Sequence, residues 1–316
     1  MKNRYILIFL ILMLALLLTG CNKTGKEKSD NTLDIVTSFY PMYVATSNII
    51  DGADNVTLKI LASPDVGCLH DYQLTVKDMM TLENAEVFVI NGGGMESFLD
   101  KAISNYPNLK IVNAFIETES GDELEEHNEE EKHHDEEEHN HSHNHEDDVN
   151  AHIWVSVSLY IEQVEKICDG LKSIDSENAE LYEKNKNIYV SKLEKLKEEM
   201  HQKLDRVEKK NIVTFHEAFY YFAKEFGLNI VAVIERVPGT SPSAGELVKI
   251  IKEIESKDVN AIFVEPQYLK TAANTISSET GISVYELDPI VSGNLEKDAY
   301  EEKMRKNLEV LLEALK

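Results

Sequence analysis

With 316 residues and 42% hydrophobic side chains, the chain is long enough for two domains with their own cores and too apolar for a disordered protein. Its formal net charge is −25, and residues 117–148 alone hold sixteen Asp or Glu against one Lys. No basic patch relieves this acidity, which excludes nucleic acid as a partner.

At the start of the chain, Lys2 and Arg4 precede an apolar run, Tyr5 to Leu18, that is short for a bilayer span. This is the pattern of a signal peptide over residues 1–20. The run leads into Leu-Thr-Gly-Cys at 18–21, which resembles a bacterial lipobox and implies that Cys21 is lipidated as the mature N-terminus. A plain signal peptide, or a membrane anchor with an incidental cysteine, is the other reading of the same residues. The polar stretch that follows suits a tether over residues 21–32. The expectation is an extracytoplasmic protein, lipid-anchored to the bacterial cell membrane. Of the other cysteines, Cys168 falls in a helical pattern and suits a core position, and a Cys68–Cys168 disulfide is not needed in a chain of this size.

Beyond the tether, apolar runs of strand length alternate with helical patterns. The first half has runs at 33–39, 56–61, 86–91 and 109–114, and the second at 211–215, 229–235, 260–265 and 282–287. They are continuous rather than alternating, as strands buried on both faces are. The fold class predicted is therefore α/β with two lobes, each a mainly parallel four-stranded sheet with helices on both faces. The lobes are predicted at 33–174 and 210–316. Between them, residues 175–209 contain no Gly or Pro, and Tyr182, Tyr189, Leu193, Leu196, Met200, Leu204 and Val207 form one helical stripe. One long rigid linking helix is expected, about 50 Å long if continuous at about 1.5 Å per residue.

The first half is interrupted at 117–148 by a segment with almost no apolar side chains, read as a disordered loop. It holds seven of the eleven histidines: His127, His133, His134, His139, His141, His143 and His145. A His-rich tract reads as weak metal binding. Imidazole suits copper and nickel as well as zinc, and an acidic solubilising insert is the alternative.

Of the four remaining histidines, His201 falls between stripe positions and is read as a solvated surface residue. His70 follows the second strand of the first lobe, His216 follows the first strand of the second, and His152 opens the helix after the acidic loop. Asp288 stands at the end of the final strand. Ligand sites of open parallel sheets lie outside the carboxyl ends of their strands, so these four residues are candidates for one metal site. Three imidazoles and one carboxylate fill a tetrahedral zinc shell. Spacing alone leaves open that the histidines are separate, satisfied or solvated residues.

VGCLHDYQLTVKDMMTLENAEVFVINGGGMESFL at 66–99, NAHIWVS at 150–156, TFHEAFYYFAKEFGL at 214–228, IFVEPQY at 262–268 and ELDPI at 286–290 occur in that order. Together they resemble the metal-binding lipoproteins of bacterial zinc and manganese ABC importers, over nearly the whole mature chain. The resemblance implies two α/β lobes joined by a rigid helix, with the metal held between them by His70, His152, His216 and Asp288. It also implies delivery to an ABC permease and its ATPase, by a monomer with no enzymatic activity. The sequence departs from the family where Cys68-Leu69 stands before the first ligand in place of a Pro, and where Asn150-Ala151 replaces Asp-Pro before the second. Cys68 and Glu286 are left as possible contributors to the site.

Three imidazoles favour zinc over manganese. In the family resembled, a carboxylate at the position of His216 tends to accompany manganese, and a His-rich acidic loop tends to accompany zinc. Zinc is thus the expected cargo, with Mn2+ as the alternative and the tract as a mobile collector. A zinc hydrolase would keep a coordination position open for water, which Asp288 would close, and no HExxH motif occurs. A binding protein for a chelated metal or another small ligand is a further alternative on the same architecture.

Overall fold

The computed structural model describes residues 32–67, 69, 72–118, 149–235 and 242–316. Cys21, Cys68, His70 and the seven histidines of the tract lie outside the described residues. Among those described, no helix is long and apolar enough to cross a membrane.

The first lobe is built on β1 (Leu33–Thr37), β2 (Val56–Ile60), β3 (Val87–Ile90) and β4 (Lys110–Asn113). All are parallel, in the order β2-β1-β3-β4. Helices α1 (Tyr40–Ile49), α2 (Val76–Glu83) and α3 (Asp100–Ile103) connect them. The second lobe repeats the scheme with β5 (Asn211–Thr214), β6 (Asn229–Val233), β7 (Ala261–Val264) and β8 (Val284–Glu286), in the order β6-β5-β7-β8. Alternate residues of the central strands enter different cores. Val87 and Val89 join the main core while Phe88 joins a smaller cluster with Leu82 and Leu99. Ala261 and Phe263 join the main core while Ile262 and Val264 face another. That two-sided burial is why these runs read as continuously apolar.

Three helices contribute to the core that both sheets share: α4 (Val157–Ile174), α5 (Ala179–Leu204), and the C-terminal helix, which is α9 in chain order (Ala299–Ala314). The second lobe also carries α6 (Tyr220–Phe226), α7 (Ala244–Ser256) and α8 (Thr271–Thr280). The stripe residues of α5 from Tyr182 to Leu204 are all buried, and Val207 lies past the end of the helix. The helix is shorter than the predicted 175–209. Asp175 accepts hydrogen bonds from the Asn178 side chain (2.8 Å) and the Tyr182 hydroxyl (2.7 Å), which closes a turn between α4 and α5. At about 1.5 Å per residue, α5 spans roughly 39 Å.

After the second sheet, α9 packs back on α5 and α1. Tyr300 stacks on Tyr160 of α4 at 3.8 Å between ring centroids. The Tyr40 hydroxyl donates to the Asn294 carbonyl (2.7 Å), and the Asn48 amide donates to the Lys297 carbonyl (2.8 Å). One continuous apolar core therefore contains Ile35 and Val89 of the first sheet together with Ile212, Ala261 and Phe263 of the second. Separating the lobes would expose it, so the packing opposes hinge opening.

Candidate metal centre

In each sheet the chain direction of winding reverses beside the first strand, so the crevice for a ligand lies off the carboxyl ends of β1 and β3 in one lobe and of β5 and β7 in the other. His216 comes two residues after β5. Thr214 is paired with Val233 on one side and with Phe263 on the other. Continued for two residues, this register sets Glu235, His216 and Glu265 side by side. The Glu235 amide, donating to the Phe215 carbonyl at 2.7 Å, carries the ladder into that row. All three side chains are buried. Burial pushes the Glu265 carboxyl up to about 8, and the neighbouring charges of Asp288 and Glu235 act in the same direction.

On the facing side, β3 is followed by Asn91-Gly92. Gly92 has φ +79°, and a Cβ there would lie 2.2 Å from the Asn113 Oδ1, so only glycine fits. The buried Glu96 carboxylate accepts from the Asn91 and Gly92 main-chain N–H groups (2.8 and 2.9 Å) and closes this loop. Asn91 then donates from Nδ2 to the Ala151 carbonyl (2.9 Å) and accepts from Gln163 (2.9 Å). That places the backbone one residue ahead of His152.

His152 is fully buried and stands before a short 3-10 turn, Ile153–Val155. Here the structure corrects the expectation that His152 opens the helix after the acidic loop: His152 precedes only the 3-10 turn, Ser156 caps α4, accepting from the Leu159 amide, and that helix starts at Val157. The turn is fixed to the second lobe by Trp154, whose indole Nε1 donates to the Pro289 carbonyl (2.8 Å), and by the Tyr300 hydroxyl, which donates to the Trp154 carbonyl (2.9 Å). The result brings the His152 and His216 rings together edge to face, with centroids 5.1 Å apart. Glu217 completes a group: one ligand atom from each of His152, His216 and Glu217 lies within 4.8 Å of the others.

Asp288 is near but differently engaged. Its carboxylate accepts from the Ile290 N–H (2.7 Å) and forms an ion pair with Lys303, and it is not part of the His152/His216/Glu217 group. Its main chain is held on both sides by Asn307. Ile290, in the same turn, has φ +61°, a left-handed conformation that costs a β-branched residue about 1–3 kcal/mol and marks a loop held in place by its surroundings. Glu286 points elsewhere, exposed and paired with Lys270. His201 lies at the surface, partly exposed; it contacts Asp205 and packs on Phe226, away from the cluster. Cys168 is a buried free thiol in the main core.

Glu217, Glu235 and Glu265 were not legible as site residues. The only signals are the Glu directly after His216 and the acidic residues that end two apolar strand runs, in VIE and FVE.

Two parallel α/β lobes closing on a His/His/Glu cluster, both imidazoles buried and the carboxylate partly so, define a solute-binding protein whose solute is a divalent metal ion. The chain belongs to the family described as zinc-uptake complex component A, periplasmic, which matches residues 35–314. Members are solute-binding transport proteins and not enzymes. It is 32% identical over 316 residues to the high-affinity zinc uptake system protein ZnuA of Bacillus subtilis (strain 168), covering 98% of this chain and 97% of that one. It is 30% identical to the zinc-binding lipoprotein AdcA of Streptococcus pneumoniae (strain ATCC BAA-255 / R6) over 94% of this chain, but spans only 58% of that longer protein. Its fold matches the solute-binding protein FpvC of Pseudomonas aeruginosa in complex with Mn2+ with a TM-score of 0.74 and 27% identity, covering 90% of this chain and 98% of that one.

Proposed function

We propose that this protein captures Zn2+ between its lobes outside the cytoplasm and hands it to an ABC permease driven by its ATPase. The observation that supports this most directly is the pair of buried imidazoles, His152 and His216, brought edge to face from opposite lobes. His70 and Asp288 complete the proposed ligand set. Asp288 would join by exchanging Lys303 for the metal, and Glu217 is a candidate carboxylate in its place. Imidazole-rich shells favour zinc over manganese, and the named zinc proteins among the relatives support the same choice. The manganese complex of FpvC keeps Mn2+ as the second reading.

In this reading the lobes are residues 33–174 and 210–316, joined through 175–209, and Cys21 carries the lipid that holds the protein at the membrane. The histidines of the tract, His127 to His145, bind metal weakly and feed the cleft. Replacing His216 with Ala tests the assignment: tight Zn2+ binding should be lost, while weak binding by the tract persists. Tight binding that survives His216→Ala would refute it.

A further inference from the structure

Asn150 makes three hydrogen bonds that tie the proposed ligands of the two lobes to one another. Its Oδ1 lies 2.9 Å from the His152 main-chain N and 2.9 Å from the ring Nδ1 of the same residue. Its Nδ2 lies 3.0 Å from the main-chain carbonyl of Glu217, in the turn that follows His216 in the second lobe. The orientation of the amide is settled by chemistry. A carbonyl can only accept, so the NH2 group faces Glu217 and the oxygen faces His152. An amide oxygen in turn can only accept, so the Nδ1 of His152 is the protonated nitrogen. The lone pair of the neutral ring is then on Nε2. Both Asn150 and His152 are buried, so water does not replace these bonds.

We infer that Asn150 is a positioning residue that presents Nε2 of His152 to the metal and, through the same side chain, fixes the first-lobe histidine against the turn bearing His216. This rests on the reading that His152 and His216 bind the metal. An aspartate here would still accept from Nδ1–H, but it would turn a carboxylate oxygen toward the Glu217 carbonyl and lose the donor. An alanine would lose both functions. The amide is thus the group that serves both lobes, and the substitution series separates the two roles.

The test compares the full-length protein with its Asn150→Asp and Asn150→Ala variants. In metal-free protein, 15N NMR of the His152 ring reports the tautomer, and hydrogen exchange reports the stability of the 216–219 turn. Zn2+ affinity is measured against a competing chelator. Asn150→Asp should keep the Nδ1–H tautomer while exchange in the turn accelerates. Asn150→Ala should lose the tautomer preference as well and bind Zn2+ about 10–100-fold more weakly, the usual cost of removing a partner that orients a ligand. An unchanged tautomer in Asn150→Ala, or unchanged exchange in Asn150→Asp, would overturn the inference. His152→Ala and His216→Ala controls separate the causes: wild-type Zn2+ affinity in both would defeat the metal-site reading itself.

Discussion

Replacing Glu265 with Gln tests whether the row of buried acids beside His216 has the electrostatics that its burial implies. The carboxyl has an ordinary value of 4.5 in the unfolded chain and one of about 8 in the fold, raised first by burial and then by Asp288 and Glu235. Between these two values the folded state binds more protons than the unfolded one, so stability must fall as pH rises through that window. At about 1.4 kcal/mol per pH unit, the loss between about pH 5 and 7.5 is about 3 kcal/mol. Glutamine mimics the neutral acid and has no proton to lose. With metal removed by a chelator, thermal unfolding should show the variant gaining on wild type as pH rises. At about 2–4 °C per kcal/mol, the gain is roughly 6–12 °C between those two conditions. A gap between variant and wild type that stays constant from pH 5 to 7.5 would refute the reasoning, because it would mean that Glu265 is ionised in the fold at both.

Trp154→Phe should leave the ring packing on Phe39 largely intact but strip the Pro289 carbonyl of its buried donor, lowering stability by about 1–3 kcal/mol in chemical denaturation. Because that bond joins the His152 turn to the Asp288 loop, Zn2+ affinity should fall along with stability; unchanged affinity would mean that the two loops are aligned by other contacts. Deleting residues 119–148 should leave the tight Zn2+ constant nearly unchanged and slow loading only when zinc is scarce, as followed by stopped flow. Equal loading rates in scarce zinc would remove the support for a collecting role.

The strands were legible because each is buried on both faces, which leaves an uninterrupted apolar run such as AIFV at 261–264. The stripe on α5 was legible for the same kind of reason, since Tyr189, Leu193, Leu196 and Met200 all face the core. What an apolar stripe does not specify is its partner. Nothing in the pattern of α9 indicates that a helix following the second sheet packs on helices of the first lobe. The site divides along the same line. His152 and His216 stand out as histidines near strand ends or loop exits, whereas the burial of Glu235 and Glu265 beside His216 depends on strand register between segments that are distant in the chain. The role of Asn150 is equally long-range, because its donor meets a carbonyl 67 residues away. A sequence shows which side chains can ligate; the hydrogen bonds that aim them appear only after folding.

The most direct measurement is anomalous diffraction from crystals of the full-length protein grown with equal amounts of Zn2+ and Mn2+, recorded at both absorption edges. The account predicts one strong zinc peak within coordination distance of His152 Nε2 and the ring of His216, with no manganese signal there. A manganese peak at that position would contradict the choice of metal, and strong zinc density confined to other parts of the molecule would contradict the site itself.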